Sequence, residues 1–132
     1  MLYHASLESL AAAVDVLIIT ASGGAQSHHI VNDAVLKALG PRGVVINVGR
    51  GSVVDQSALT EALAQGVIHS AGLDVYENEP YVPEALLRLP NVVLLPHIAA
   101  KSERVIKAMS DSILANVESW FAGTGAITPI LL

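Results

Sequence analysis

The sequence predicts an α/β fold, an open parallel sheet of about four strands with flanking helices, and three observations support this. Four short apolar runs occur along the chain, each run is nearly continuous, and helical segments with recognisable caps separate the runs. Continuous runs are typical of strands that are buried on both faces of a parallel sheet. The alternation of strands and helices favours right-handed crossovers, with helices on both faces of the sheet.

The strands and helices alternate in a regular order. The four apolar runs lie at residues 14–19, 44–46 with Val48, 71–75 and 92–95. Helices are predicted at residues 6–13, after Asn32, after Asp55, at residues 83–88 and after Ser102. Asn, Asp and Ser are preferred N-caps because their side-chain oxygens accept a bond from a free backbone N–H. The corresponding helix ends are indicated by Gly40, Gly66 and Gly123.

Composition and charge limit the classes of function. With 132 residues, 52% of them hydrophobic and 14% charged, the chain predicts one folded domain, residues 1–132. No apolar run approaches the roughly 18 residues of a membrane span, and the first residues show no signal peptide. Cysteine is absent, which is compatible with the cytoplasm, the expected location. The net charge of −5 and the scattered Lys and Arg residues argue against a nucleic-acid partner, and the lack of a long apolar run argues against a membrane partner.

Titratable residues follow three successive apolar runs. Arg50 follows the second run, Asp74 and Glu79 follow the third, and His97 follows the fourth. Ligands of open parallel sheets gather at the carboxyl ends of the strands, so these residues are expected at one rim. Each has an ordinary alternative: a surface arginine in a turn, a solvated carboxylate or a packed histidine. Asp74 is less ordinary, because a carboxylate at the end of an apolar run needs a partner.

Together these residues fit the reduction of a 2-keto acid. Arg50 can bind the substrate carboxylate with two hydrogen bonds and polarise the carbonyl group. His97 can deliver the proton, and Glu79 beside it would favour the imidazolium form. Asp74 could hold the nicotinamide end of a cofactor. The glycines on both sides of Arg50 would allow the backbone to approach a ligand closely.

The sequence argues against two other kinds of site, a metal site and a hydrolase active site. His28 and His29 are adjacent, so on a helix their side chains diverge by about 100° and share a metal ion with difficulty. The sequence therefore predicts no metal site. There is no Gly-x-Ser-x-Gly motif, so a hydrolase that uses Ser52 and His97 has no support.

Four segments carry a resemblance to a known family. They are residues 14–17, 46–51, 72–80 and 91–97, and the match extends from about residue 7 to residue 129. In order and spacing they resemble the D-2-hydroxyacid dehydrogenases, within the glyoxylate, hydroxypyruvate and hydroxyphenylpyruvate reductase branch. The resemblance implies a Rossmann-like sheet, a 2-keto or 2-hydroxy acid substrate, and NAD or NADP as cofactor.

The resemblance also assigns residues to roles. It places Arg50, Glu79 and His97 at the catalytic positions. It places these residues at or near the nicotinamide pocket: Val48, Gly49, Arg50, Asp74, His97, Ala99 and Ala100. Ala21 and Ser22 would lie near the adenosine side.

The chain departs from the family in one large respect. It has no Gly-x-Gly-x-x-Gly loop for the cofactor pyrophosphate and no substrate domain. Residues 1–132 are therefore expected to form the C-terminal part of an NAD(P)-binding domain, without the first half of the doubly wound sheet. Smaller departures are Gly49, where alanine is more usual, and residues 21–24, where a proline-containing turn is usual.

Two functions remain open. The first is an NAD(P)-dependent oxidoreductase that moves a hydride between the nicotinamide and a small acid of the glyoxylate or hydroxypyruvate type, represented by a fragment that is inactive alone. The alternative is a non-catalytic truncated fold that acts only as an oligomerising or binding module. Two features support this alternative: the missing phosphate loop, and the first apolar run, residues 14–19, which would form an exposed sheet edge and favour a homo-oligomer.

Overall fold

The computed structural model describes residues 3–129. The prediction that the first residues show no signal peptide concerns Met1 and Leu2 in part, and these two lie outside the described residues. The chain divides into two compact units, Met1–His97 and Ile98–Leu132. The first unit contains the whole sheet. Its elements are α1 (Leu7–Ala11), β1 (Val16–Ile19), α2 (Asp33–Leu39), β2 (Val44–Asn47), α3 (Gln56–Ala64), β3 (Ser70–Leu73), α4 (Glu84–Leu87) and β4 (Val92–Leu94). The second unit contains α5 (Glu103–Phe121).

The sheet has four parallel strands in the order β1-β2-β3-β4. The order in space is the order in the chain, and a helix lies between each pair of consecutive strands. The register places the carboxyl ends in one row, formed by Ile19, Asn47, Leu73 and Leu94. The predicted α/β fold with an open parallel sheet is confirmed, and the loops after β2, β3 and β4 leave the sheet at the same rim.

One face of the sheet carries the core of the first unit. Leu17, Val45 and Ala71 are paired across the strands and buried, and they pack with helix residues such as Leu36 and Leu59. The residues between them point to the opposite face and are less well covered.

That opposite face differs from the prediction of two-sided burial. Val16, Ile18 and Val93 are 47%, 61% and 65% exposed. The apolar runs therefore have a second apolar face that the described residues leave largely open.

The helix caps follow the sequence signals. The Asn32 side chain accepts a hydrogen bond from the Val35 N–H at 3.2 Å, and Asp55 accepts one from Ala58 at 3.0 Å. Gly40 ends α2 with a φ of 78°, a conformation that is open to glycine and costly for other residues.

The strand ends were predicted less well. The third apolar run continues to Val75, but β3 ends at Leu73. Asp74 and Val75 are still buried after the strand has ended, at 3% and 2% exposure. An apolar run indicates which residues are buried, but it does not indicate which residues pair with a neighbouring strand. The predicted strand therefore extended two residues too far at its carboxyl end.

The second unit contains helix α5. This helix begins after Ser102, as predicted, and contains 19 residues, none of which is buried. The apolar positions spaced three or four residues apart are exposed, among them Ile106, Met109 and Ile113. No helix within residues 3–129 is both long enough and apolar enough to cross a membrane.

Candidate active site

The loop after β2 is shaped by Asn47, which is 1% exposed. Its Oδ1 accepts a hydrogen bond from the Gly49 N–H, and its Nδ2 donates to the Arg50 carbonyl, both at 3.1 Å. The side chain therefore closes the loop that presents Val48, Gly49 and Arg50. Sequence reasoning did not assign a role to Asn47, although a polar residue at the end of an apolar run is a signal that could have identified it.

The two glycines beside Arg50 lie against neighbouring backbone. A Cβ atom on Gly49 would lie 2.6 Å from the Ala21 carbonyl oxygen, and one on Gly51 would lie 2.0 Å from the Tyr76 carbonyl oxygen. The loop after β2 is thus in close contact with the loops after β1 and β3. Glycine at these positions is explained by packing between loops, which differs from the predicted approach to a ligand.

Arg50 is exposed at this rim. Its Nη1 donates to the Gly49 carbonyl at 2.8 Å, so its described hydrogen bond stays within its own loop. The aliphatic part of the arginine lies close to Gly23, where an added Cβ atom would lie 3.2 Å from Arg50 Cγ. The structure therefore places Arg50 at the same rim as Glu79 and His97 but describes no bond from it to either.

Glu79 and His97 are brought together. His97 Nδ1 lies 2.8 Å from Glu79 Oε2, and the Tyr76 N–H donates to Glu79 Oε1 at 3.1 Å. The two side chains are 48% and 36% exposed, for His97 and Glu79 respectively, so the pair is open to a ligand. His97 has a φ of 55°, a conformation that non-glycine residues seldom adopt and that is concentrated at functional sites.

The carboxyl group of this pair is charged at neutral pH. Its hydrogen bond with His97 and then that with the Tyr76 N–H hold the pKa of Glu79 below its usual value of 4.5. A carboxylate beside Nδ1 fixes a proton on that nitrogen and leaves Nε2 for a ligand. This is the arrangement of a histidine that can donate a proton and be reprotonated.

Tyr76 joins the ends of β3 and β4. Its hydroxyl donates to the Leu95 carbonyl at 2.8 Å and lies 3.3 Å from the Leu73 carbonyl. Burial, and next the charge of Asp74, raise the pKa of Tyr76, so the hydroxyl stays a donor. The residue fixes the segment that leads into His97, a contact that the sequence did not reveal.

Two cavities adjoin these loops. One of about 320 Å³ lies beside Glu79 and His97 and is otherwise mainly apolar, with Tyr76 and Val82 in its wall. The second, of about 580 Å³, covers the open face of the sheet and reaches Asp74. Its lining also includes Ile46, Val48, Leu73, Val93 and Leu95.

The structure places the residues predicted to contact a cofactor at different positions. The predicted contacts Val48 and Asp74 both line the second cavity, whereas Gly49 is buried in its loop. Ala99 and Ala100 are exposed residues of the second unit, two and three positions after His97 in the chain.

His28 and His29 are not on a helix, which contradicts the geometry assumed from the sequence. They lie in a turn, and His29 has a φ of 52°. Their rings stack with centroids 3.9 Å apart, and His29 also pairs with Glu77. The argument that the two side chains must diverge is therefore wrong.

Comparison with known proteins decides the family. Residues 1–99 match the family described as "D-isomer specific 2-hydroxyacid dehydrogenase, NAD binding domain". The chain belongs to this family. The Glu79–His97 pair, the rim and the open sheet described above are thus features of part of a 2-hydroxyacid dehydrogenase cofactor domain.

Relatives of known structure or function agree with this assignment. The chain is 43% identical over 129 residues to hydroxyphenylpyruvate reductase from Plectranthus scutellarioides, with 98% of this chain and 41% of the relative covered. An NADPH-dependent glyoxylate/hydroxypyruvate reductase from Sinorhizobium meliloti, solved with NADP and malonate, is 55% identical with a TM-score of 0.90. That match covers 97% of this chain and 40% of the reductase. The chain thus spans about two fifths of the length of these 2-hydroxyacid dehydrogenases.

Proposed function

We propose that the chain is the C-terminal part of the NAD(P)-binding domain of an oxidoreductase that interconverts a small 2-keto acid and its 2-hydroxy acid. The substrate class is that of glyoxylate and hydroxypyruvate, the substrates named for the Sinorhizobium meliloti reductase. The observation that carries the proposal is the Glu79–His97 hydrogen bond of 2.8 Å at the rim where ligands of parallel sheets bind.

Each residue has a distinct part in the reaction. Arg50 binds the substrate carboxylate and polarises the carbonyl oxygen, because a guanidinium can donate two parallel hydrogen bonds. His97 donates its Nε2 proton to the carbonyl oxygen of the keto acid during reduction. Glu79 orients the imidazole through Nδ1. The bound nicotinamide supplies the hydride.

The cofactor is held only in part by this chain. Val48, Gly49, Arg50, Asp74 and His97 of the first unit would contact the nicotinamide end. The sequence contains no Gly-x-Gly-x-x-Gly loop, so it offers no pyrophosphate site of that kind. We therefore expect the isolated chain to bind NAD or NADP weakly and to show no measurable turnover.

A chimera tests the proposal directly. The amino-terminal part of the Sinorhizobium meliloti reductase would be joined to residues 7–129 of this chain, and NADPH oxidation with glyoxylate or hydroxypyruvate would be followed by absorbance. We expect activity in the chimera, and we expect His97→Asn to reduce kcat by about 10²–10⁴-fold, the usual contribution of a general acid.

Matched variants make the result specific. Arg50→Lys keeps the charge but loses the planar fork, and it should raise KM for the keto acid. His69→Ala changes an exposed histidine at the amino end of β3, far from the rim, and should leave the rate unchanged. An active chimera whose rate is the same in His97→Asn would exclude the proposed proton donor.

A second function is favoured by the open sheet. β1 is an edge strand, and Val16 and Ile18 on it are 47% and 61% exposed. Exposed apolar edges pair with other chains. The chain alone would then be a non-catalytic module that forms homo-oligomers, and sedimentation over a concentration series tests this function.

A further inference from the structure

Three potential metal ligands outside the Glu79–His97 site lie together. His28, His29 and Glu77 each offer one ligand atom, and these atoms all lie within 4.8 Å of one another. Two of the residues are in the turn before α2, and Glu77 is in the loop after β3. The cluster is thus assembled by folding from segments that are 48 residues apart in sequence, as measured between His29 and Glu77.

The backbone around the cluster is anchored on both sides. The His29 N–H donates to the Ser52 carbonyl at 2.9 Å. The Glu77 N–H donates to Gln56 Oε1 at 3.2 Å, and Gln56 is only 8% exposed. The ligand-bearing segments are therefore fixed before any ion binds, which lowers the entropy cost of forming a site.

The donor atoms suit zinc and similar ions. Two imidazoles and one carboxylate are a common ligand set of zinc, with bond lengths of about 2.0–2.2 Å. In a tetrahedral site with bonds of this length two ligand atoms lie about 3.4 Å apart, so side-chain rotations must bring His28 closer and separate His29 from Glu77 slightly. His28 is exposed and His29 and Glu77 are 32% and 26% exposed, which leaves the site open to a water molecule as fourth ligand.

We propose that His28, His29 and Glu77 bind one divalent transition-metal ion of the zinc type. The proposal reverses the expectation of no metal, which relied on a helical geometry that the turn does not have. It shares no residue with the Glu79–His97 pair and does not depend on the proposed reductase function. In the absence of an ion, the His29–Glu77 pair holds the same segments together.

The test is metal binding by the chain without an affinity tag. Zn²⁺ would be titrated by calorimetry, and Co²⁺ by visible absorption, after treatment with a chelator. We expect one ion per chain, cobalt bands of a low-coordinate nitrogen–oxygen site, no heat with Mg²⁺, and a zinc-dependent rise in the thermal midpoint. Binding should weaken as pH falls, because protons compete for the ligands.

Variants identify the ligands. His28→Ala removes an exposed side chain, and Glu77→Gln keeps the shape and an acceptor oxygen, so both should fold, which circular dichroism would verify. Each should weaken zinc binding at least tenfold, about the smallest effect of losing even an outer-shell partner. His69→Ala is the control and should bind as before. Absence of binding or more than one ion per chain would overturn the proposal. So would zinc affinity in His28→Ala or Glu77→Gln that equals the affinity of the parent chain.

Discussion

At the residue scale, Glu79 combines two contacts that both favour its charged form. It accepts hydrogen bonds from His97 and from the Tyr76 N–H, and its pKa is lowered for these reasons, in that order. A lowered pKa in the folded state means that the group stabilises the fold above its unfolded pKa, near 4.5. This contribution is lost as the pH falls through the folded pKa.

Glu79→Gln should therefore flatten the acid side of the stability profile. Thermal unfolding between about pH 3 and pH 6 would show a smaller loss of Tm in the variant than in the parent chain. The effect should be small, since the carboxyl side chain is 36% exposed and partly screened. An unchanged slope would show that the hydrogen bonds to Glu79 do not stabilise the folded state.

Tyr76 contributes to the stability of the fold through its hydroxyl group. Tyr76→Phe removes the donor to the Leu95 carbonyl and keeps the ring, so it should lower the free energy of unfolding by about 0.5–1.5 kcal/mol. In the chimera the same change should lower kcat, because the segment before His97 is less well fixed. Tyr81→Phe is a matched control, as Tyr81 is 78% exposed. Equal stability of the two variants would contradict a role for this hydrogen bond.

At the scale of elements, the rim depends on close contact between loops. Gly51→Ala would place a Cβ atom 2.0 Å from the Tyr76 carbonyl oxygen, which is backbone and cannot rotate away. We expect a loss of stability of about 1–3 kcal/mol or more, measured by urea unfolding.

Gly72→Ala is the matched control for that change. Its Cβ would meet the terminal Cδ1 of Ile46 at 3.0 Å, and a side-chain end can move. If Gly51→Ala is no more destabilising than Gly72→Ala, the loops after β2 and β3 are not held together as described.

The elements also show which parts of the fold a sequence can reveal. Helices α2, α3 and α5 begin at the residues that follow Asn32, Asp55 and Ser102, because capping is a local interaction between neighbours in sequence. The rim was predicted by an equally simple rule: ligands of open parallel sheets bind at the carboxyl ends of the strands. Both kinds of signal can be read without knowing any contact between distant residues.

What could not be predicted depends on contacts between loops. Asn47, Tyr76 and Gly51 act through backbone atoms of segments whose approach is set only by the finished sheet. The relation of His28 to His29 depends on a positive φ at His29, which its side chain does not indicate. The roles of Arg50, Glu79 and His97 in catalysis remain predictions.

At the scale of the whole molecule, much apolar surface remains exposed. In the first unit it includes β1 residues of the open sheet face, and in the second unit it includes most of the apolar positions of α5. Exposed apolar patches of this extent are typical of surfaces that associate. We therefore expect the isolated chain to self-associate as its concentration rises.

Analytical ultracentrifugation over a concentration series tests this expectation. Ile18→Lys places a charge on the exposed edge strand, where Ile18 is 61% exposed, and should shift the chain toward monomer. Ser57→Lys adds the same charge at an exposed position of α3 and should leave association unchanged. A stable monomer at high concentration would contradict the edge argument.

The in-sequence order of the strands has a consequence for synthesis on the ribosome. As the chain emerges, β2, β3 and β4 can each add to the edge of a strand that is already outside the exit tunnel. Arg50 reaches the growing rim first, Glu79 second and His97 last. A nascent chain that has emerged as far as Leu94 holds all four strands, yet it lacks the imidazole that contacts Glu79.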